Sequence, residues 1–298
     1  MDWLIFAFLA PVLWAGCNIV DKFLLTKYIK NPISYQILGI LIYVPIIPLL
    51  LILVPISSSY PGFLLGIMIG LVDIGAILSY CKALTLEEAS RVAPLSYLNA
   101  ILVLPLAYVF FGELLSLQKY FGIILLVTGS ILISFKKIRL KKWRVSPALR
   151  IILVLALLWA CINVLDKYAL GFMDYWSLIF WGTMGYLIAG SFLLSLKRLR
   201  QVLLRDFSKV NKKILSIRIL PVIFYYTGLV FFLSALSKGF VSLVSGIISI
   251  QPFITFLYTT TLTLFAPNII KEKIDRSTIL LKFIAISFIF LGSWLITS

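Results

Sequence analysis

Ten apolar runs dominate the chain, at 3–25, 33–54, 61–82, 92–111, 117–135, 148–170, 174–196, 216–237, 240–265 and 278–297. Each holds roughly 18–26 residues, the length an α-helix needs to cross the hydrocarbon core of a bilayer. The runs are continuous, not alternating, so the short period-two strands of an outer-membrane barrel fit poorly. Composition agrees: 62% of the residues are of the AVILMFWYC type and 13% are charged, against about 45–50% apolar and about 25% charged in a soluble domain. A soluble enzyme, a disordered tail and a secreted disulfide scaffold are excluded. The expected fold is an all-α membrane protein of ten transmembrane helices.

The net charge of +16 does not point to nucleic acid, because nearly all lysines and arginines lie between apolar runs and form no soluble basic face. Histidine is absent, and Cys17, Cys81 and Cys161 stand singly in or at the ends of apolar segments. No metal site, haem ligation or disulfide framework is supported, and no cofactor is expected. There is no Walker motif or phosphate-cradling glycine loop, hence no sign of direct ATP use. With neither a nucleophile–base pair nor a metal cluster, no catalytic residue is assigned. The first run follows Met1-Asp2-Trp3 with no basic n-region and no small-residue cleavage site, so it is expected to be a retained span.

The chain repeats itself. Leu13-Trp14-Ala15-Gly16-Cys17-Asn18-Ile19-Val20-Asp21-Lys22-Phe23-Leu24-Leu25 returns 145 positions later as Leu158-Trp159-Ala160-Cys161-Ile162-Asn163-Val164-Leu165-Asp166-Lys167-Tyr168-Ala169-Leu170, with seven of 13 positions identical. A fainter echo at an offset of 152 matches Ala83 to Ala235, Leu84 to Leu236, Ser90 to Ser242 and Val92 to Val244, and sets Asn99 opposite Gln251. The division is a five-helix repeat over 1–135, a basic connecting loop over 136–147 and a second five-helix repeat over 148–298. Five is odd, so the second repeat enters the membrane upside down, as in many transporters.

Loop charge gives the orientation. Of the 27 basic residues, 24 fall at the first, third, fifth, seventh and ninth connections, and only Lys119, Lys167 and Lys238 on the other side. The positive-inside rule then makes the odd connections cytoplasmic and puts both termini outside. The basic seventh connection, from Lys197 to Arg218, reads as a topology signal first and an anionic-lipid contact second.

The ten-span, five-plus-five pattern resembles the drug/metabolite transporter superfamily, specifically its EamA-like members. The resemblance rests on Trp14 and Asn18 with Trp159 and Asn163 in the paired first helices. It rests also on Tyr80-Cys81-Lys82-Ala83-Leu84, Ala89-Ser90-Arg91-Val92-Ala93-Pro94-Leu95, Phe111-Gly112-Glu113, Gly122, Gly129 and Gln251-Pro252. Lys271-Glu272-Lys273 replaces the Gly-Glu turn in the second repeat. The resemblance implies a transporter of amino acids, amines, sugar nucleotides or other metabolites, and it implies cytoplasmic termini, against the charge count.

Asp73 is the foremost candidate site residue. It lies about twelve residues into the third run, where a carboxylate costs about 2.5–3.5 kcal/mol on insertion scales and is commonly kept for function. It suits proton coupling or pairing with a substrate amine. Asp21 and Asp166 are gate candidates, since the inverted repeat sends them to opposite mouths; interfacial anchoring, with Lys22 and Lys167 snorkelling to headgroups, is the plain alternative. Asn18, Asn163, Asn99 and Gln251 could bond substrate or merely join helices. Trp14, Trp159 and Tyr80 are candidate pocket walls, as are Tyr97, Tyr225 and Tyr226. Gly66 and Gly70 form a small-xxx-small helix-contact signal.

The expected function is secondary transport, in the direction of export, of a small polar or amphipathic metabolite such as an amino acid or amine. Alternating access of inverted repeats is the expected mechanism, with proton coupling through Asp73 where coupling occurs; a lipid or lipid-linked-metabolite flippase is the alternative. The expected partners are a small-molecule substrate and the lipid bilayer of the cell membrane. A monomer suffices for this reading, and the sequence leaves the oligomeric state open.

Overall fold

The computed structural model describes residues 2–29, 31–86, 92, 95–133, 147–207, 212–265 and 279–297. The central basic loop, the segment holding Glu87-Glu88 and Arg91, and Lys271-Glu272-Lys273 lie outside these residues.

The first half holds α1 (Asp2–Lys27), α2 (Pro32–Tyr43), α3 (Ile46–Leu53), α4 (Gly62–Leu86), α5 (Asn99–Phe111) and α6 (Leu117–Ile133). The second holds α7 (Pro147–Ala169), α8 (Tyr175–Ser195), α9 (Lys197–Phe207), α10 (Lys212–Lys238), α11 (Val241–Ile248), α12 (Gln251–Phe265) and α13 (Ile279–Thr297). Among the described residues, six stretches are long and apolar enough to cross a membrane: Trp3–Lys27, Gly62–Leu84, Ala148–Ala169, Tyr175–Ser195, Ile214–Lys238 and Val241–Phe265. Shorter apolar helices cover Asn99–Phe111, Leu117–Leu132 and Phe283–Thr297. The protein is therefore an all-α multi-pass membrane protein.

Three of the sequence runs are not straight helices. The second is broken between α2 and α3 at Val44-Pro45, where proline removes a donor and cannot continue the ladder. The fourth is interrupted by a turn at Tyr97-Leu98 and the ninth by one at Ser249-Ile250. Asn99 and Gln251 are the first residues after those two turns, both buried.

Packing follows membrane rules. Side chains such as Ile52, Leu117 and Phe265 are more than three-quarters exposed, as lipid-facing residues are, while Ala10, Ala76, Ala100, Ala107 and Ala160 are fully buried between helices. α1 lies along α10, α4 along both α7 and α8, α5 along α7, and α6 along α13. Glycine makes the closest of these approaches possible. A Cβ on Gly70 would meet Tyr186 N at 2.5 Å and come nearer still to Gly182 O, and one on Gly66 would meet Trp181 Cβ at 2.6 Å. Gly66 and Gly70 thus join α4 to α8. On α6, Gly122 faces Gly292 of α13 in the same manner, a Cβ on either falling within 2.9 Å of the other's carbonyl oxygen.

Candidate functional site

Asp73 sits in the middle of α4, half-buried, and among the described residues it makes no hydrogen bond or ion pair. A cluster of tyrosines lies near it. Tyr43 of α2 stands with ring centroids 5.6 Å from Tyr186 of α8 and 5.6 Å and 6.4 Å from Tyr226 and Tyr225 of α10. The charge of Asp73 reaches Tyr186, Tyr225 and Tyr226. Tyr226 Oη is 3.0 Å from Thr183 Oγ1, whereas the buried Tyr186 Oη has no hydrogen-bond partner among the described residues. Asp73 came from the sequence reading; Tyr43 and Tyr186 did not, since a tyrosine in an apolar run carries no signal of what it faces.

Asp166 of α7 is buried, forms no hydrogen bond or ion pair among the described residues, and lies within reach of the charge of Asp73. The antiparallel register explains this. Tyr80 of α4 and Trp159 of α7 have ring centroids 6.2 Å apart, and seven residues on, about two turns along the same helix faces, come Asp73 and Asp166.

Its repeat mate Asp21 is placed quite differently. Asp21 Oδ1 accepts from Tyr35 Oη at 2.5 Å and from Arg218 Nη1 at 3.4 Å, and Oδ2 accepts from Cys17 Sγ at 3.6 Å. The Arg218 guanidinium also lies 4.0 Å from the centre of the Tyr35 ring, and a Cβ on Gly39 would meet its Nη2 at 2.8 Å. Asp21, Tyr35 and Arg218 thus tie α1, α2 and α10 together. Arg218 corrects the sequence reading, which placed it in a topology-setting loop; it is 2% exposed inside α10. The signal was present, because Arg218 stands alone within the apolar run 216–237.

The other candidates divide. Trp14 Nε1 donates to Tyr225 O at 3.2 Å and its ring packs at 5.5 Å from Phe232, so it joins α1 to α10. Asn18 is exposed on α1, so it does not join Trp14 and Asp21 in one buried site. Asn163 Nδ2 donates to Ser245 Oγ at 3.1 Å, linking α7 to α11. Lys167 does not snorkel: its Nζ donates to Leu236 O at 2.5 Å and Gly239 O at 2.9 Å, capping the C-terminus of α10 as a cation should.

A second cap lies beside it. Gly112 takes φ +64 and ends α5, which turns Glu113 inward. Glu113 Oε1 accepts from Val241 N at 2.8 Å, and Oε2 accepts from Ser242 N at 3.1 Å and Ser242 Oγ at 2.5 Å. The Phe111-Gly112-Glu113 motif is therefore a C-cap joined to an N-cap for α11. Among the described residues no group of His, Cys, Asp and Glu could hold a metal ion.

These features define a polytopic membrane protein with a carboxyl that has no partner among the described residues, near a tyrosine cluster, and an ion-paired network across three helices. Residues 1–135 match the EamA-like transporter family. An uncharacterized transporter in the cobO 3′ region of Sinorhizobium sp. is 34% identical over 79 residues, 26% of this chain and 56% of that protein. The match thus spans little more than half the length of that relative. A solved crystal structure superposes over 99% of this chain and 95% of its own, with a TM-score of 0.68 and 15% identity, a likeness of fold. Over its first 135 residues the chain is thus similar to the EamA-like transporter family.

Proposed function

We propose that the protein is a secondary transporter of a small polar or amphipathic metabolite that carries an amine, working by alternating access of two inverted five-helix repeats. The observation that carries this reading is Asp73: a mid-span carboxyl with no cation paired to it among the described residues, near Tyr186, Tyr225 and Tyr226, on which Tyr43 packs. A carboxyl so placed stays in a membrane when it receives a cation or a proton. Tyrosine faces add attraction for an organic ammonium. The two helix breaks support the same reading, since transporters bind at broken helices near mid-membrane, and Asn99 and Gln251 open the second halves of theirs.

The helix pairings support the inverted repeat. Exchanging repeats turns α1 on α10 into α7 on α4, and leaves α6 on α13 as it is. In the conformation described, α4 and α8 are sealed by glycine, while the equivalent contact of α10 with α2 is made by Arg218 over Gly39 and Tyr35. Asp21, Tyr35 and Arg218 are then the gate on one side, a latch of polar contacts that can part without opening a packed core. Loop charge places this latch on the cytoplasmic side, and export is the direction consistent with that placement.

Reconstituted protein should take up or release a labelled primary amine down a proton gradient, and Asp73→Asn should abolish the gradient dependence while the protein stays monodisperse. Equal transport by Asp73→Asn at every pH, or lipid flipping with no solute movement, would overturn the reading.

A further inference from the structure

Helix α9 is the part of the molecule that the transport reading leaves unused. It follows the span α8 directly, after Leu196, and precedes the span α10. Its sequence, Lys197-Arg198-Leu199-Arg200-Gln201-Val202-Leu203-Leu204-Arg205-Asp206-Phe207, spaces its apolar residues at 199, 202, 203 and 207, the period of an amphipathic helix, with basic residues between them. Lys197, Arg200 and Arg205 are exposed, and so are Leu196 and Leu204. Exposed leucines beside basic residues at the end of a membrane span are the pattern of a helix lying in the headgroup layer. On its inner side Leu199 packs into the cluster of Ile40, Ile74 and Tyr186.

A topology signal needs only charge in a loop. α9 has more than charge: it packs on α2 and α8, and Ser34 Oγ of α2 donates to its Asp206 Oδ2 at 2.6 Å. The next residue, Tyr35, donates to Asp21 and lies under Arg218. A single hydrogen bond therefore separates the surface helix from the latch. Whatever holds α9 in the headgroup plane also holds the start of α2 in place, and with it the Tyr35 hydroxyl on Asp21.

We propose that α9 is a membrane-surface lever. Its basic face takes the phosphate headgroups of anionic phospholipids, and through the Ser34–Asp206 bond that contact keeps the Asp21–Tyr35–Arg218 latch shut. The partner is a lipid surface and not a soluble polyanion, because α9 stands between two spans and exposes leucines as well as charge. The inference rests on the latch being a gate.

The chain supplies its own reporter. Cys17 Sγ bonds Asp21 Oδ2, so its alkylation by a membrane-permeant maleimide should follow opening of the latch, in a Cys81→Ala, Cys161→Ala background. Rates are compared in phosphatidylcholine vesicles with and without added phosphatidylglycerol. The expected result is alkylation about fivefold slower with the anionic lipid, the size of one basic residue's headgroup attraction. The difference should vanish in Lys197→Gln/Arg200→Gln and in Ser34→Ala, a small change that keeps the helix. Equal rates in the two membranes overturn the lever, as does a lipid effect that survives Ser34→Ala. Asp21→Asn separates the two readings: it should speed alkylation in neutral vesicles. If it does not, the latch itself fails; if it does while the wild type ignores lipid, only the lever fails.

Discussion

Replacing Glu113 by glutamine should destabilise the protein well beyond what the loss of a surface charge would do. The carboxylate accepts three hydrogen bonds, from Val241 N, Ser242 N and Ser242 Oγ at 2.8, 3.1 and 2.5 Å, and Glu113 is 5% exposed. A carboxamide keeps one acceptor oxygen and turns an NH2 toward donors, so one or two of those bonds are lost and the freed N–H groups find no water. At about 1.5 kcal/mol or more for each bond to a charged group, with up to about 1 kcal/mol for the anion at the start of α11, the cost is about 2–4 kcal/mol. Ser242→Ala removes one donor of a shared network, so its effect should be smaller and non-additive with Glu113→Gln. Thermal unfolding in detergent and denaturant titration would measure both. A Glu113→Gln protein within about 0.5 kcal/mol of the wild type, the range of an ordinary surface change, would show that α11 is held by packing and that the cap contributes nothing.

Gly70→Ala should cost about 1–3 kcal/mol, since its Cβ would fall against Tyr186 N and Gly182 O and force α4 from α8; Gly75→Ala, with nothing within 4 Å of its Cβ, is the control on the same helix and should be neutral or stabilising by up to about 1 kcal/mol. Both are read by unfolding in detergent. Arg218→Met should raise Cys17 alkylation, because Asp21 keeps Tyr35 but loses the cation that pulls α10 toward α1; an unchanged rate would mean that the tyrosine alone closes the latch. A reporter fused after Ser298 should be active outside the cell and one in the loop Lys136–Arg144 inside, and the reverse pair would restore cytoplasmic termini.

The spans were legible because a bilayer leaves a continuous apolar run little choice but a helix. The interruptions were harder. The run 33–54 was read as unbroken although Pro45 stands at its turn, and Tyr97-Leu98 and Ser249-Ile250 carry no proline or glycine at theirs, so that only tertiary packing decides them. Asp73 was readable as a costly charge in a run, while the tyrosine cluster near it was not, because aromatic residues are as common against lipid as against a cavity. Repetition identified Asp21 and Asp166 as a pair, yet their surroundings differ: Asp21 has Arg218 and Tyr35, and Asp166 has neither. Sequence identity reports a shared origin of two helices; contacts depend on the partners that tertiary packing brings to each. Arg218 was hidden by its neighbours in sequence, a basic stretch that absorbed it into a loop.

That asymmetry makes the central claim testable in one measurement. Single cysteines near the Asp21 and Asp166 ends of the molecule, in a background lacking Cys17, Cys81 and Cys161, are labelled with an impermeant thiol reagent in sealed vesicles of known orientation. If the two inverted repeats exchange conformations, Asp21→Asn should raise labelling at its own end and lower it at the other, and Asp166→Asn should do the opposite. Labelling that moves the same way in both variants, or in neither, would contradict alternating access governed by these two carboxyls.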